Sequence, residues 1–225
     1  MENQEQQEFR AHLDGDSEEV SALADVMIEL ANLRPLFHSE ADFQHAFAWK
    51  LSEQDHSRNI RLEYRVPEMG RRYIDIWFDN GERQTAIELK YWTRQLECEI
   101  GGEKFSLLNQ SAQDIGRYDF LKDIQRLETV AAHRSNCSGF AIALTNDRGY
   151  WNAARSPETV DAAFRLHEGR EIGGSLGWSD RASDGTKKSR EEPILLKNSY
   201  KIRWRDFSRI DEQKFGLFRW ALVEI

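Results

Sequence analysis

The segment RRYIDIWFDNGERQTAIELKYW, residues 71–92, decides the fold. Two stretches, 71–78 and 84–92, carry apolar residues at alternate positions and flank the dipeptide Asn80-Gly81. Asn-Gly between two such stretches is a strong signal for an antiparallel hairpin with a two-residue turn. A turn made of these two residues pairs Asp75 with Ala86 and Ile74 with Ile87.

The alternation predicts one apolar face and one polar face for this hairpin, because successive side chains of a strand point to opposite sides of the sheet. The predicted apolar face comprises Ile74, Ile76, Phe78, Ile87 and Leu89, and the polar face comprises Tyr73, Asp75, Trp77, Glu88 and Lys90. Asp75 and Glu88 become diagonal neighbours, roughly 7 to 8 Å apart. Two carboxylates at that separation can converge on one cation.

The pattern on the polar face is typical of a magnesium site. Mg²⁺ prefers oxygen ligands at about 2.0 to 2.1 Å, so Asp75, Glu88 and the backbone carbonyl of Leu89 form a plausible set of ligands for Mg²⁺ or Mn²⁺. Lys90 is the next residue on that face. Its ammonium group could position or activate a water molecule and stabilise charge in a phosphoryl-transfer transition state.

The residues before the hairpin predict two helices and one strand. Asp16 is a candidate N-cap for a helix that ends before Pro35, and Ser39 is a candidate N-cap for the next helix. Glu40 lies in the first turn of the second helix, on the apolar stripe that faces the core. The stretch 60–66 predicts a strand.

The residues after the hairpin predict a longer series of elements. In chain order these are a polar connection at 93–109, a long helix at 110–133, a buried strand at 139–145, a short helix at 158–168, a mobile loop at 171–192, and a closing antiparallel pair formed by SYKIRWRDF and KFGLFRWALVEI. The two long polar segments are candidate flaps over a substrate.

Asp75 followed by Glu88-Leu89-Lys90 across a hairpin, with Glu40 on the preceding helix, resembles the catalytic core of the PD-(D/E)xK nuclease superfamily. The resemblance covers roughly residues 36–146 and implies a restriction-endonuclease-like α/β fold, with a mixed sheet between helices in the order helix, three strands, helix, strand. It also implies that Asp75 and Glu88 bind metal, that Lys90 is the catalytic lysine, and that Glu40 is an additional acid of the site.

Two features depart from the pattern of that superfamily. Ile74 stands where proline often precedes the first aspartate. The Gln-x-x-x-Tyr signature of the RecB-like branch is not met, because Gln113 and Tyr118 are five positions apart. Gln113 and Arg117 nevertheless lie near the start of the long helix and are candidate phosphate contacts.

The composition limits the class of protein. The 225 residues carry a net charge of −8, which argues against a protein that coats nucleic acid by charge alone. Two cysteines cannot supply a disulfide framework, and no apolar run approaches the roughly 20 residues that cross a bilayer. We expect a cytoplasmic protein without membrane contact, with a mobile acidic tail at 1–15 and a single domain at 16–225 whose C-terminal elaboration spans 147–225.

Basic residues concentrate near the C-terminus. Residues 181–209 hold nine basic and four acidic side chains. Arg203 and Arg205 in this run are candidate contacts to a phosphate backbone, although charge alone is equally compatible with a solvated surface.

Three interpretations of function stay open. The first is a nuclease that cleaves nucleic acid, with DNA as the expected substrate and with a protein partner or a homodimer contributing specificity. The second is a nuclease-like module that binds nucleic acid or a protein without cutting, and the third is a structural subunit of a larger bacterial assembly. A Gly-x-Ser-x-Gly string at 173–177 does not indicate a serine hydrolase, because all six histidines precede Ser175.

Overall fold

The computed structural model describes residues 17–67, 70–210 and 213–225. The predicted tail at 1–15 and the predicted N-cap Asp16 lie outside these ranges. The fold is mixed α/β, with a six-stranded mixed sheet flanked by helices. The elements are α1 (Glu18–Leu33), α2 (Glu40–Gln54), β1 (Asn59–Arg65), β2 (Tyr73–Asp79), β3 (Gln84–Trp92), β4 (Leu96–Ile100), β5 (Glu103–Leu107), α3 (Gln113–His133), β6 (Cys137–Thr145), α4 (Arg148–Trp151), a 3₁₀ turn (Ala162–Phe164), β7 (Glu171–Leu176), α5 (Asp184–Lys187), β8 (Ile194–Lys201), β9 (Trp204–Arg209) and β10 (Leu217–Glu224).

The main sheet has the strand order β1-β2-β3-β6-β10-β9. The first three strands form an antiparallel meander, β6 runs parallel to β3, and β10 runs antiparallel to both β6 and β9. In the main sheet the predicted order of helix, three strands, helix and strand is confirmed, with the β4–β5 hairpin inserted between the three strands and the helix. The closing antiparallel pair is confirmed for β9 and β10, whereas residues 199–201 of its predicted first strand belong to β8. None of the helices in the described ranges has the length and apolar character needed to cross a membrane.

The two faces of the sheet are covered by different elements. Helices α1 and α2 and the β4–β5 hairpin pack on one face, against side chains such as Ile76, Ile87 and Phe140. Helix α3 and the β7–β8 ribbon pack on the other face, against Ala86, Ala141 and neighbouring residues. The predicted strand 139–145 lies within the longer β6, which has both faces covered, as its nearly continuous apolar sequence indicates.

The helix starts are set by side-chain caps. The Ser17 hydroxyl accepts a hydrogen bond from Val20 N at 3.2 Å, so α1 is capped one residue after the predicted Asp16. The Ser39 hydroxyl accepts a hydrogen bond from Asp42 N at 3.1 Å, as predicted for α2. This cap fixes Glu40 as the first residue of that helix.

The predicted register of the central hairpin is wrong by two residues. Asp79 pairs with Gln84 and Ile76 pairs with Ile87, so the turn spans four residues, 80–83, instead of two. The reason is the Asn80 side chain, whose Oδ1 accepts hydrogen bonds from the backbone N–H groups of both Glu82 and Arg83 and so stabilises a longer turn. A shift of two residues keeps each side chain on its predicted face.

Strict alternation fails at Asp75, however. Ile76 lies in the core beneath α2, whereas Ile74 lies in the core beneath α3, on the same side as Trp77. The prediction that Ile74 shares a face with Ile76 is therefore wrong. The adjacent strand is also irregular here, since Glu63 adopts a left-handed backbone conformation with φ of 49°. Trp77 is 3% exposed and stacks on Tyr64, so the predicted polar face is closed by aromatic rings at that end.

Three predictions about the connections are wrong. The polar connection at 93–109 contains the β4–β5 hairpin, and the predicted loop at 171–192 contains β7 and α5. The predicted helix at 158–168 is reduced to one 3₁₀ turn, 162–164. The loop was predicted because β7 contains glycines. In the structure glycine permits close pairing with β8, since a Cβ atom at Gly173 would lie 2.9 Å from the Asn198 carbonyl oxygen.

Candidate functional site

The site lies where β2 and β3 separate. Their pairing ends at Ile76 and Ile87, whereas β3 continues to pair with β6 as far as Trp92. Beyond Ile87, the edge of β3 that faces β2 has backbone N–H groups with no partner strand. The predicted residues Glu88, Leu89 and Lys90 occupy this part of β3.

Two of the predicted acids accept hydrogen bonds from backbone N–H groups of that open edge. Oδ2 of Asp75 accepts a hydrogen bond from Leu89 N at 2.7 Å, and Oε2 of Glu40 accepts one from Tyr91 N at 2.8 Å. Asp75 reaches this position because it lies at the irregularity in β2. Glu40 reaches it from the first turn of α2. The structure therefore brings Glu40 and Asp75 to successive positions along one strand.

Gln44 supports this arrangement and was not identified from the sequence. Its Nε2 donates to the backbone carbonyl of Asp75 at 2.7 Å and to Oε1 of Glu63 at 3.0 Å. Gln44 is 8% exposed, on the same helix as Glu40. It couples the first turns of α2 to the irregular part of β2, which fixes Asp75 relative to Glu40.

Glu88 and Lys90 point to the opposite side of β3, toward α3. Glu88 is 2% exposed and forms a short ion pair with Arg126. Nζ of Lys90 lies 2.7 Å from Oδ2 of Asp123, and Arg126 Nη2 lies 2.8 Å from Oδ1 of the same carboxylate. Helix α3 thus supplies one acid and one cation to the cluster, neither of which was identified from the sequence.

A signal for these two residues does exist in the sequence. Asp123 and Arg126 are three positions apart, and Asp123 lies between Phe120 and Leu127 on the buried stripe of α3. Charged side chains on such a stripe are rarely buried without a partner. What the sequence lacks is the identity of that partner, which lies on a different element.

The cluster carries an excess of negative charge. The carboxyl groups of Glu40, Asp75, Glu88 and Asp123 surround the cations Lys90 and Arg126, which gives a formal charge of −2 when all four carboxyl groups are ionised. Burial raises the pKa of Glu88 well above its ordinary value, and the neighbouring carboxylates of Asp123 and Asp75 raise it further, against the opposing effect of Arg126. Burial is likewise the main cause of the raised pKa of Asp123.

The same surroundings also shift the pKa values of Glu40 and Lys90. Glu40 is exposed as a whole residue, but its carboxyl group lies against β3, and burial there raises its pKa while Lys90 opposes the increase. Burial by itself would lower the pKa of Lys90. The carboxylates of Asp123, Glu40 and Asp75 more than offset that effect, so the pKa of Lys90 is raised and the ammonium group keeps its proton at neutral pH.

The donor set fits a divalent cation in charge, although not in its present arrangement. One oxygen of each of Asp75, Glu40 and Glu88 is engaged by the protein, which leaves the second oxygen of each for another ligand. The Leu89 carbonyl, a predicted ligand, accepts a hydrogen bond from Lys90 Nζ at 3.1 Å. Within the ranges that the structure describes, no three Asp, Glu, His or Cys side chains are grouped closely enough to hold one metal ion. Arg126 holds one oxygen of Glu88, and its positive charge repels a cation at the other oxygen, so metal binding at Glu88 requires Arg126 to move.

The predicted nucleic-acid contacts are not assembled around this cluster. Gln113 donates to Asp147 Oδ2 at 2.9 Å, and Arg117 is buried in an ion pair with Asp161. Both side chains contact the protein itself. As phosphate contacts they stay predictions.

The C-terminal arginines lie elsewhere on the molecule. Register across the sheet aligns Lys90 with Trp204, three strands and roughly 14 Å away. Arg205, the next residue, faces the opposite side of the sheet, where its guanidinium lies over the Trp220 ring. Arg203 is exposed and borders a separate cavity with Arg205. A role for either residue in nucleic-acid binding stays a prediction.

Comparisons with protein-family models, with curated proteins and with solved structures yield no match to this chain. The residues of the site and their geometry are therefore the basis for a function.

Proposed function

We propose that the protein is a divalent-metal-dependent nuclease that hydrolyses phosphodiester bonds of DNA. The observation that carries the proposal is the placement of Glu40, Asp75, Glu88 and Lys90 around residues 88–91 of β3, where β2 and β3 separate and where Lys90 lies within electrostatic range of Glu40 and Asp75. These four residues come from one helix and two strands. A PD-(D/E)xK active site draws the corresponding residues from the same elements. The order of elements around them agrees with a restriction-endonuclease-like core.

The chemistry proposed for each residue follows from its contacts. Asp75, Glu88 and Glu40 would hold Mg²⁺ or Mn²⁺, with the Leu89 carbonyl as a further ligand. When bound, the ion would polarise the phosphate and lower the pKa of a bound water. Lys90 donates hydrogen bonds to a water or phosphate oxygen and stabilises negative charge, but it is not a general base because its ammonium group stays protonated.

Affinity for DNA needs a source other than bulk charge. The net charge of −8 repels a polyanion at long range. We therefore propose that a protein partner or a second copy of the chain contributes to substrate binding and specificity.

The test is a cleavage assay on single-stranded, duplex and branched DNA with Mn²⁺ or Mg²⁺, and with EDTA. We expect cleavage that depends on the metal and falls by at least about 100-fold in Asp75→Asn, because the substitution weakens a charged ligand without changing its size. The matched control is Asp79→Asn on the same strand, whose carboxylate caps the turn at Gly81 and is outside the cluster. Equal activity of Asp75→Asn and the wild type would reject the assignment.

A second candidate function is a module that binds nucleic acid without cutting it. The ion pair between Arg126 and Glu88 favours this alternative, because the guanidinium occupies the carboxylate that a metal would need. A gel-shift assay with the same DNA substrates separates the two functions: DNA binding without cleavage under any metal, unchanged in Asp75→Asn, supports this alternative.

A further inference from the structure

A basic cavity, separate from the acidic cluster, lies between the end of α4 and strand β7. A cavity of about 500 Å³ is lined by an apolar set of small residues and by three basic side chains. The basic set is Arg165, His167 and Arg170. Cavities of this volume lie in the range of pockets that enclose small ligands, about 300 to 1,000 Å³.

The three basic side chains have unused donor capacity. Nε of Arg165, Nε of Arg170 and Nδ1 of His167 are buried and have no hydrogen-bond partner among the described residues. These three atoms are closed off from the cavity as well as from water, but Nη1 of Arg165 and Nη1 of Arg170 also donate no hydrogen bond to the described residues and remain accessible to a ligand. Arg170 Nη2 has one backbone contact, to the Ala163 carbonyl at 3.3 Å.

Acidic residues neutralise this basic set only in part. Asp161 accepts a hydrogen bond from Arg165 at 3.1 Å, but its other oxygen pairs with the buried Arg117. One carboxylate is therefore shared by two arginines, while Arg170 has no ion pair within the described residues. The electrostatic consequence is visible in His167, whose pKa is lowered by burial and then by Arg170 and Arg165. The pKa of Arg170 is lowered by burial and by Arg165 as well.

We propose that this cavity binds the phosphate monoester of a nucleotide. Arg165 and Arg170 would contact the phosphate, since guanidinium groups match phosphate oxygens in charge and geometry. The apolar lining, which includes Ala153, Pro157 and Ala162, suits the sugar and base. The volume admits a whole nucleotide instead of a bare anion.

The cavity lies near the acidic cluster, but the two sites share no residue. Arg117, which shares Asp161 with Arg165, lies on α3 about 9 Å along the helix axis from Asp123. The phosphate can therefore belong to a free nucleotide or to the 5′ end of a strand. The shared chemistry is the phosphate monoester, and the ligand series below separates the two sources.

The experiment is isothermal titration calorimetry of the full chain with AMP, adenosine and inorganic phosphate, and with oligonucleotides that carry a 5′-phosphate or a 5′-hydroxyl. We expect AMP to bind at least about tenfold more tightly than adenosine. If the 5′-phosphorylated strand binds more tightly than both AMP and the 5′-hydroxyl strand, the ligand is a strand end; if AMP binds as tightly as the 5′-phosphorylated strand or more tightly, the ligand is a free nucleotide.

Two variants test the residues. Arg170→Gln should weaken AMP binding by at least about tenfold, and the matched control Arg61→Gln, an exposed arginine on β1, should not change it. Asp75→Asn should also leave AMP binding unchanged, so failure of the nuclease proposal is separate from failure of this one. The comparison of AMP with adenosine needs no variant. Equal binding of these two ligands, or no binding of either, overturns the proposal.

Discussion

The Lys90 ammonium group lies 2.7 Å from the Asp123 carboxylate and joins the third strand of the sheet to helix α3. Asp123 is almost fully buried, with 4% of its side chain exposed, and Lys90 keeps 19%. Charged groups this far from water interact strongly, because solvent screens them little. The pair is therefore both a structural link and the part of the site that holds Lys90 in place.

A double-mutant cycle should detect this pair. We expect Lys90→Met and Asp123→Asn to show a favourable coupling of about 1 to 3 kcal/mol in urea unfolding, because each substitution removes the same ion pair. The control cycle combines Lys90→Met with Asp79→Asn and should give a coupling near zero. Coupling near zero in the first cycle would contradict the geometry.

Glu88 should make stability depend on pH. Its pKa is raised above the ordinary 4.5, so between pH 4.5 and the raised pKa the folded protein binds more protons at this group than the unfolded chain does. Stability then falls as pH rises from 4.5 toward the raised pKa. Glu88→Gln removes the titrating group, and urea unfolding between about pH 5 and 8 should show a flatter profile.

The control for that profile is Glu53→Gln. The pKa of Glu53 is lowered by its hydrogen bond from Lys50, so this residue stays ionised in both states over the same pH interval. Its substitution should leave the slope unchanged. An equal slope in the wild type and in Glu88→Gln would contradict a raised pKa for Glu88.

Arg126 should compete with metal ions. For an ion to bind Glu88, the guanidinium must give up a charge-assisted hydrogen bond worth about 1.5 to 3 kcal/mol. Arg126→Met should therefore tighten Mn²⁺ binding by about tenfold or more, measured by calorimetry. Arg72→Met, which removes an exposed arginine, is the control. Weaker Mn²⁺ binding in Arg126→Met would mean that Arg126 supports the metal site instead of blocking it.

Gly116 is required by packing inside α3. A Cβ atom there would collide with the Tyr150 hydroxyl and lie 3.2 Å from Trp92 Nε1. Tyr150 stacks on Trp92 with ring centroids 4.1 Å apart, so it cannot yield without losing that contact. Overpacking of about 1 to 3 kcal/mol should exceed the helix-propensity gain of about 1 kcal/mol, and Gly116→Ala should lower the melting temperature. The control Gly185→Ala should not lower the melting temperature, because a Cβ atom there would have only a 3.9 Å contact, to Ser183.

Cys137 should react slowly with alkylating agents. Burial raises the pKa of its thiol to about 11, which lowers the thiolate fraction at about pH 8 by roughly two orders of magnitude relative to an ordinary cysteine. Mass spectrometry of iodoacetamide-treated Cys98→Ser protein, in which Cys137 is the one remaining cysteine of the chain, measures this rate. Alkylation at the rate of free cysteine would contradict it, and urea-unfolded protein gives the unprotected rate.

Much of the local structure was predictable from the sequence because its causes are local. Ser39 caps α2 through a neighbour three residues away, and the alternation in 84–92 is enough to predict β3. The turn at Asn80 was predicted in position but not in length, since Asn-Gly also suits the four-residue turn that the Asn80 side chain stabilises. A strand register depends on that length.

The sequence by itself determined the order of the elements from α2 to β3 and of α3 and β6, and it put Asp75, Glu88 and Lys90 on neighbouring strands. Only the tertiary structure decided that Arg126 pairs with Glu88 and Asp123 with Lys90. Those partners lie far apart along the chain, and the angle at which α3 crosses β3 depends on the packing of the whole core. A sequence pattern shows which charges are buried, whereas the packing of helix on sheet decides which opposite charge each one meets.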